Sequence, residues 1–274
     1  MTRRCSLDGE WIEVDDDATI RDAAESVGVE IPTLCWAANL TPVNVCRLCV
    51  VEVEGSRPLV PACSRIVDDD MVITTSSERI DHSRRLILEL LASAVELDWA
   101  EPGLGALLDA YGVDGLRLRP DDSEPRREPK RHDDLYVRDY ERCVLCFKCV
   151  EACGDDAQHT FAIAVAGRGF DAHISTEFDV RLPDSACVYC GNCIAVCPTG
   201  ALTPVTEFIR REAGEWRPDD QAVTRTVCAF CGVGCNLDLH VQDGEIVKVT
   251  SPADHDITHG NLCIKGRFGW QHLT

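Results

Sequence analysis

The chain has 274 residues, of which only 6% are aromatic, and it carries a formal charge of −20 at pH 7. So acidic a chain argues against nucleic acid and against an anionic membrane surface as binding partners. No run of about 18 apolar residues is present, so we expect no membrane span. The polar opening sequence MTRRCSLDGEWIEV lacks the apolar stretch of a signal peptide. These properties favour a cytoplasmic protein built from several small modules.

The first module is predicted to cover residues 1–78. Alternating apolar and polar residues around the turn dipeptide Asp8-Gly9 predict a hairpin with strands near 5–7 and 11–14. Thr19 is expected to cap a helix that ends at Gly28. The buried face of this helix is predicted to comprise Ile20, Ala23, Ala24 and Val27. Further strands are expected at 49–54 and 71–75.

Sixteen of the seventeen cysteines fall into four runs of four, and Cys5 alone lies outside them. The first run has the spacing C-x10-C-x2-C-x13-C and comprises Cys35, Cys46, Cys49 and Cys63. The second and third share the spacing C-x2-C-x2-C-x3-C and comprise Cys143, Cys146, Cys149 and Cys153, then Cys187, Cys190, Cys193 and Cys197. The fourth has the spacing C-x2-C-x3-C-x27-C and comprises Cys228, Cys231, Cys235 and Cys263. Each run supplies the four thiolates that an iron–sulfur cluster needs, so the sequence indicates electron transfer.

Two other uses of cysteine compete with iron–sulfur clusters. A disulfide framework of this density is typical of short secreted domains, which this chain does not resemble. Zinc sites use two separated C-x2-C pairs, and the third closely spaced cysteine of the repeated runs would be surplus to such a site. Zinc stays a stronger alternative for Cys46 and Cys49, because a single C-x2-C pair is a weak signal.

A helical segment is predicted at 79–116 and a linker at 117–138. The helix is expected over 81–98, with an apolar face of Ile87, Leu90, Leu91 and Ala94. His82 is interpreted as a surface residue and Trp99 as a packing residue. The linker contains a basic cluster of Arg126, Arg127, Lys130 and Arg131. Interleaved acidic residues favour a solvated linker over a docking site for an acidic partner.

The two repeated runs lie in a predicted module at 139–210 and resemble a two-cluster ferredoxin. In that family the fourth cysteine of each run ligates the cluster of the other run. The resemblance implies one 4Fe-4S cluster on Cys143, Cys146, Cys149 and Cys197. It implies a second 4Fe-4S cluster on Cys187, Cys190, Cys193 and Cys153. The residues between the runs are long enough for an added hairpin, with strands within 160–166 and 173–180.

A second linker is predicted at 211–222, and a last module at 223–274. Its motifs TVCAFCGVGC and GNLCIKGRFGW, with strands expected near 237–240 and 246–249, resemble the small 4Fe-4S domain of molybdopterin oxidoreductases of the formate dehydrogenase type. Gly232 and Gly234 are expected to adopt positive φ beside this cluster. Lys265 matches the lysine that this family places between cluster and pterin, so the resemblance implies a cofactor-binding role for it; an ordinary surface lysine is the alternative.

Residues 1–77 resemble the β-grasp 2Fe-2S domain of NADH dehydrogenase, iron hydrogenases and NAD-linked formate dehydrogenases. The expected fold class is therefore α+β, with a β-grasp 2Fe-2S ferredoxin domain, a two-cluster 4Fe-4S ferredoxin domain and a small 4Fe-4S domain of molybdopterin oxidoreductases. The resemblance implies one 2Fe-2S and three 4Fe-4S clusters. In those relatives an H-x3-C-x2-C-x5-C run follows the first domain and holds another cluster. Residues 79–116 lack these ligands.

No pterin cradle, substrate site or dinucleotide-binding motif is found in the chain. The resemblance therefore implies an electron-transfer subunit, or part, of a cytoplasmic formate dehydrogenase. Its expected partners are a catalytic subunit holding molybdopterin guanine dinucleotide with Mo or W, and a flavin- and NAD-binding diaphorase subunit. A split subunit, a fragment and a truncated gene would each explain the missing pocket. A diaphorase-side subunit of a hydrogenase or NADH-quinone oxidoreductase and a free-standing multi-cluster ferredoxin stay as alternative functions.

Overall fold

The computed structural model describes residues 2–115, 117–118 and 128–273. The chain divides into two compact units. The first unit comprises Met1–Trp36 and Pro42–Glu124, and the second unit comprises Ala37–Thr41 and Pro125–Thr274. The structure is mixed α and β, in agreement with the predicted class. No helix in the described part of the chain is long and apolar enough to cross a membrane.

The first unit is a mixed five-stranded sheet with helices packed against it. Its strands are β1 (Thr2–Leu7), β2 (Glu10–Asp15), β3 (Val50–Val53), β4 (Val60–Pro61) and β5 (Met71–Thr74). Its helices are α1 (Ile20–Ser26), α2 (Glu78–Ala94) and α3 (Pro102–Ala110). The strand order is β2-β1-β5-β3-β4, and the central strands β1 and β5 run parallel. This arrangement is the predicted β-grasp fold, with the hairpin at one edge and a crossover containing α1.

Local signals in the first unit act as predicted. Asp8 and Gly9 adopt φ values of +50° and +93°, which suit the tight turn between β1 and β2. The Thr19 hydroxyl accepts a hydrogen bond from the Asp22 backbone, and the Asp22 carboxylate accepts one from the Thr19 backbone, completing a capping box. Ile20, Ala23 and Ala24 are fully buried as predicted, but the prediction for Val27 is wrong: it is exposed, and α1 ends before it.

The predicted buried face of α2 is wrong. Leu90, expected in the core, is 52% exposed, whereas Arg84 and Glu89 are buried. The Arg84 guanidinium donates to two backbone carbonyls, and Glu89 forms an ion pair with Arg117. Arg84 and Glu89 therefore face inward because each has a specific partner distant in sequence, although the apolar periodicity of the helix predicts a different buried face. The helix is also displaced, since Ser77 caps its start.

The described residues of the second unit form three small sheets and four α-helices. The strands are β6 (Tyr136–Arg138), β7 (Ala164–Ala166), β8 (His173–Ser175), β9 (Leu202–Pro204), β10 (Ala222–Val227), β11 (Asn236–Gln242) and β12 (Glu245–Thr250). The helices are α4 (Lys148–Cys153), α5 (Asn192–Ala195), α6 (Val205–Glu212) and α7 (Ile264–Phe268). The antiparallel pairs are β6 with β9 and β7 with β8, and β10-β11-β12 forms a three-stranded sheet. The expected hairpin is present as β7–β8, and the strands expected near 237–240 and 246–249 are β11 and β12.

Both predicted linkers contain ordered structure. Strand β6 lies inside the segment 117–138, and Lys130 forms an ion pair with Asp179 at 2.7 Å. Arg126 and Arg127 lie outside the described residues. The segment 211–222 includes the end of α6 and the start of β10. It packs on the buried Gln242 side chain, which donates to the Glu215 carbonyl at 2.8 Å and accepts from the Arg217 backbone at 3.0 Å.

Candidate iron–sulfur sites

The four cysteines of the first run converge in the first unit. Cys35, Cys49 and Cys63 are almost completely buried, and the thiol groups of the run lie within hydrogen-bonding range of one another. Hydrogen bonds from Cys46 and Cys63 lower the pKa of Cys35 to about 2, and one from Cys63 lowers the pKa of Cys49 to about 7. The same contacts raise the pKa of Cys46 and Cys63. The mutual hydrogen bonds thus favour thiolate at Cys35 and Cys49 and the protonated thiol at Cys46 and Cys63, whereas ligation of iron would use the thiolate form of all four.

Arg84 of α2 holds the backbone on both sides of Cys49. Its Nε donates to the Leu48 carbonyl at 3.2 Å, and its Nη2 donates to the Val50 carbonyl at 2.9 Å. Its Nη1 contacts the Tyr111 hydroxyl at 3.3 Å. The guanidinium therefore satisfies two buried carbonyls and fixes the orientation of the ligand between them.

One cavity in the second unit is lined by cysteines from both repeated runs. Cys153 from the end of α4 lines it together with Cys187, Cys190 and Cys193. The rest of the lining is largely apolar and includes Ile163, Leu182 and Leu202. Two backbone N–H groups point at these sulfurs, Ala162 N to Cys153 Sγ at 3.3 Å and Tyr189 N to Cys187 Sγ at 3.4 Å. Converging buried and half-buried sulfurs with N–H donors suit a 4Fe-4S cluster.

In the complementary set, Cys197 lies near the cysteines of the second run. Burial raises the pKa of Cys143 to about 11 and that of Cys146 to about 12, and in both cases the charge of Cys197 adds to the effect. Burial also raises the pKa of Cys149, with Cys197 as the next contributor. Cys197 thus lies near the cysteines of the other run, and the exchange of fourth cysteines that the ferredoxin resemblance implies stays a prediction.

The fourth run differs from the others in its exposure. Cys228 is buried beside Cys235, whose pKa is raised by burial and by the three other thiols of the run. Cys231 and Cys263 are exposed. Lys265 is also exposed, two residues after the last cysteine and on α7.

Gly234 adopts φ +83° in the loop between β10 and β11, as expected, whereas Gly232 does not adopt positive φ. Cys5, outside the four runs, is a fully buried residue of the first unit's core. Within residues 2–115, 117–118 and 128–273, no three His, Cys, Asp or Glu side chains are gathered closely enough to share a single metal ion. The cluster sites rest instead on the sulfur donor sets and their burial, since a cluster holds its ligands around several iron atoms.

Three families match the chain in succession. Residues 4–78 match the 2Fe-2S iron-sulfur cluster binding domain. Residues 134–203 match the ferredoxin-like domain of NADH-quinone oxidoreductase subunit 3, and residues 221–274 match the molybdopterin oxidoreductase Fe4S4 domain. This succession decides the family. The chain carries the iron–sulfur region of the molybdopterin oxidoreductase family.

Curated relatives in this family are similar over almost the whole chain. An NADH-quinone oxidoreductase subunit of Rhizobium meliloti (strain 1021) is 34% identical over 97% of this chain and 31% of the relative. The NADPH-Fe(3+) oxidoreductase subunit alpha of Geobacter sulfurreducens is 36% identical over 98% and 31%. A putative formate dehydrogenase of Staphylococcus haemolyticus (strain JCSC1435) is 26% identical over 98% and 31%. The chain spans about a third of the length of these relatives.

A solved structure also resembles the chain. It is the NAD+-reducing [NiFe]-hydrogenase in the H2-reduced state, with 28% sequence identity and a TM-score of 0.62. The match covers 74% of this chain and 87% of the hydrogenase chain. Each of these relatives is named as an oxidoreductase, a dehydrogenase or a hydrogenase, or as a subunit of one.

Several residues around the cluster sites were not found from the sequence. Arg84 and Arg267 are buried cations whose partners lie far away in sequence. Lys148 and Asn192 occupy equivalent positions of the two repeated runs, and both are buried. The internal repeat could have identified this last pair, since each precedes the third cysteine of its run.

Replacing Arg84 by Ala is expected to destabilise the first unit by about 3 kcal/mol, because two buried carbonyls would lose their donors. The 2Fe-2S absorbance should be lost at a lower denaturant concentration than in the wild-type protein. The neighbouring Arg85 is exposed and donates to the Tyr111 carbonyl at 3.0 Å. Arg85→Ala is therefore the matched control, with an expected loss of about 0.5 kcal/mol. Equal losses in the two variants would contradict a special role for Arg84.

Proposed function

We propose that the chain conducts electrons between a catalytic partner, which holds Mo or W on molybdopterin guanine dinucleotide, and a partner that binds flavin and NAD(P). The exposure of the fourth cysteine run carries this proposal. The cysteines of the other runs are buried or half-buried, whereas Cys231, Cys263 and the nearby Lys265 are exposed. Exposed cysteines suit an electron carrier, because electrons must pass from this site to a centre outside these residues.

The apolar surface beside that run supports a protein partner. Phe230 and Val233 lie between cysteines of the run, Ile264 follows Cys263, and Ile257 precedes it. All four are exposed large hydrophobic residues. Exposed apolar residues grouped around a site are typical of protein–protein interfaces. The Lys265 ammonium would favour negative charge at the same interface.

The proposed ligand sets follow the cysteine groups of the structure. One 2Fe-2S cluster is assigned to Cys35, Cys46, Cys49 and Cys63. Three 4Fe-4S clusters are assigned to Cys143, Cys146, Cys149 and Cys197, to Cys187, Cys190, Cys193 and Cys153, and to Cys228, Cys231, Cys235 and Cys263. Each cluster, when bound, supplies one-electron transfer at a potential set by the surrounding charges and hydrogen bonds. The cysteines of the first three runs are buried or half-buried, whereas the fourth run has two exposed cysteines.

Formate is the substrate that we propose for the catalytic partner. The putative formate dehydrogenase supports this choice, and the NADH- and NADPH-linked relatives support a nicotinamide at the other end of the electron path. A second candidate is the diaphorase side of a hydrogenase. The 87% coverage of a chain from the NAD+-reducing hydrogenase favours it, because that whole chain is nearly matched.

The native complex, purified anaerobically with its partners, distinguishes these candidates. We expect formate to drive NAD(P)+ reduction, and Cys231→Ser to abolish it while NADH-driven dye reduction is retained. Cys5→Ala is the control, since Cys5 lies in the core and outside the four runs. Hydrogen-driven activity would favour the hydrogenase candidate. Formate oxidation by this chain freed of all partners, or loss of both activities in Cys231→Ser with the other clusters intact, would contradict the proposal.

A further inference from the structure

The guanidinium of Arg267 lies buried within the second unit, beside the third cysteine run. Arg267 belongs to α7 of the last module and is 3% exposed. Its Nη1 donates to the Val249 carbonyl at 3.3 Å, and its Nη2 donates to Asn192 Oδ1 at 3.4 Å. Its Nε has no hydrogen-bond partner among the described residues. A buried cation with an unused N–H group requires a compensating negative partner.

Gly191 makes room for this side chain. A Cβ at position 191 would lie 2.9 Å from Arg267 Cγ and 3.1 Å from Arg267 Nε, so a larger residue could not occupy that position without displacing the arginine. Gly191 follows Cys190 directly and has φ +74°. Burial lowers the pKa of Arg267, and Tyr136, Cys190 and Cys193 oppose that shift. The contact of Arg267 with Gly191, between Cys190 and Cys193, thus places the guanidinium beside the cysteines of the proposed cluster.

Comparison of the two repeated runs gives a reason for a buried arginine beside the third run. In the second run the residues between the middle cysteines are Phe147 and Lys148, and in the third run they are Gly191 and Asn192. Phe147 and Gly191 both have positive φ, and α4 and α5 both begin at the next residue. Lys148 is buried next to Cys149, so the second run contains its own cation. The third run has a neutral amide at that position.

We propose that Arg267 replaces this missing cation and raises the reduction potential of the cluster held by Cys187, Cys190, Cys193 and Cys153. The inference rests on the cluster assignment of the proposed function. On reduction the cluster accepts one electron and no proton, so its negative charge increases by one. A buried positive charge stabilises this added electron, and the free Nε–H is available to a sulfur of the cluster. Asn192 positions the guanidinium, because its Oδ1 also accepts from the Leu262 backbone at 2.9 Å.

The test is a potentiometric EPR titration of the full-length chain, reduced by dithionite, which is itself oxidised to sulfite. In Arg267→Met, reduction of one 4Fe-4S centre should become about tenfold less favourable, which for a one-electron couple corresponds to a shift of about −59 mV. Arg267→Lys should retain the wild-type potential. Asn192→Lys, added to Arg267→Met, should restore the potential by supplying the cation in the manner of Lys148. Lys148→Met should shift a different centre.

An unchanged potential in Arg267→Met with full iron content would overturn the inference, as would equal shifts in the Met and Lys variants. If Arg267→Met loses the iron of one cluster, the potential is measured in Arg267→Lys instead. A retained cluster with the wild-type potential in that variant supports the role of charge. Loss of that cluster in Arg267→Lys and in the double variant as well would make Arg267 a packing residue only. Absence of 4Fe-4S signals from the wild-type chain would contradict the proposed function itself, before any variant is compared.

Discussion

Replacing Cys153 by Ala is expected to remove the cluster assigned to Cys187, Cys190 and Cys193, and not the cluster of its own run. The reason is the shared cavity, which Cys153 lines together with those three residues. Loss of one ligand from a buried four-thiolate set leaves an iron atom without its fourth bond. The wild-type chain should contain about 14 iron atoms, and this variant about four fewer.

Double variants identify which cysteines serve the same cluster. Cys153→Ala combined with Cys190→Ala should lose no more iron than either single variant, because both residues serve one cluster. Cys153→Ala combined with Cys146→Ala should lose about eight iron atoms, because two clusters are affected. Iron and sulfide analysis under anaerobic conditions gives both numbers. If the double variant of Cys146 and Cys153 loses no more iron than either single variant, each run holds its own cluster.

Removal of all clusters is expected to unfold the ferredoxin module and to leave the β-grasp module largely folded. Cysteines of both repeated runs form much of the ferredoxin core, in which Cys149 packs with residues such as Ile163 and Leu202. Ligation of a structural metal contributes on the order of 10 kcal/mol, which is comparable to the whole stability of a domain. The core of the first unit includes Cys49 and Cys63 but consists mainly of aliphatic residues, with Ile20 and Ile73 fully buried.

Hydrogen exchange of the apo-protein, prepared with a chelator and a reductant, measures this difference. The amides of β1 and β5 should stay protected, whereas those of α4 and α5 should exchange at the rate of an unfolded chain. Restoration of iron and sulfide should recover protection in α4 and α5. Persistent protection of these two helices without iron would contradict the expectation, as would simultaneous loss of protection in β1.

Sequence signals that act over a few residues were sufficient for much of the fold and for the cysteine groups. The Asp8-Gly9 turn and the Thr19 capping box are decided by neighbouring residues, so their sequences alone predict them. The cysteine spacings likewise predict four groups of ligands, although spacing alone does not assign the fourth cysteine of a repeated run to its cluster. The family resemblance added the exchange of Cys153 and Cys197 between runs.

The tertiary structure alone decided which charged residues are buried. Apolar periodicity placed Leu90 in the core, yet Arg84 faces inward because the Leu48 and Val50 carbonyls need donors. Arg267 likewise appears in the sequence as an ordinary basic residue near the end of the chain. Its burial depends on the space at Gly191, 76 positions earlier. Such pairings arise from long-range packing and from the cost of leaving buried polar groups unpaired, and neither is encoded in a local pattern.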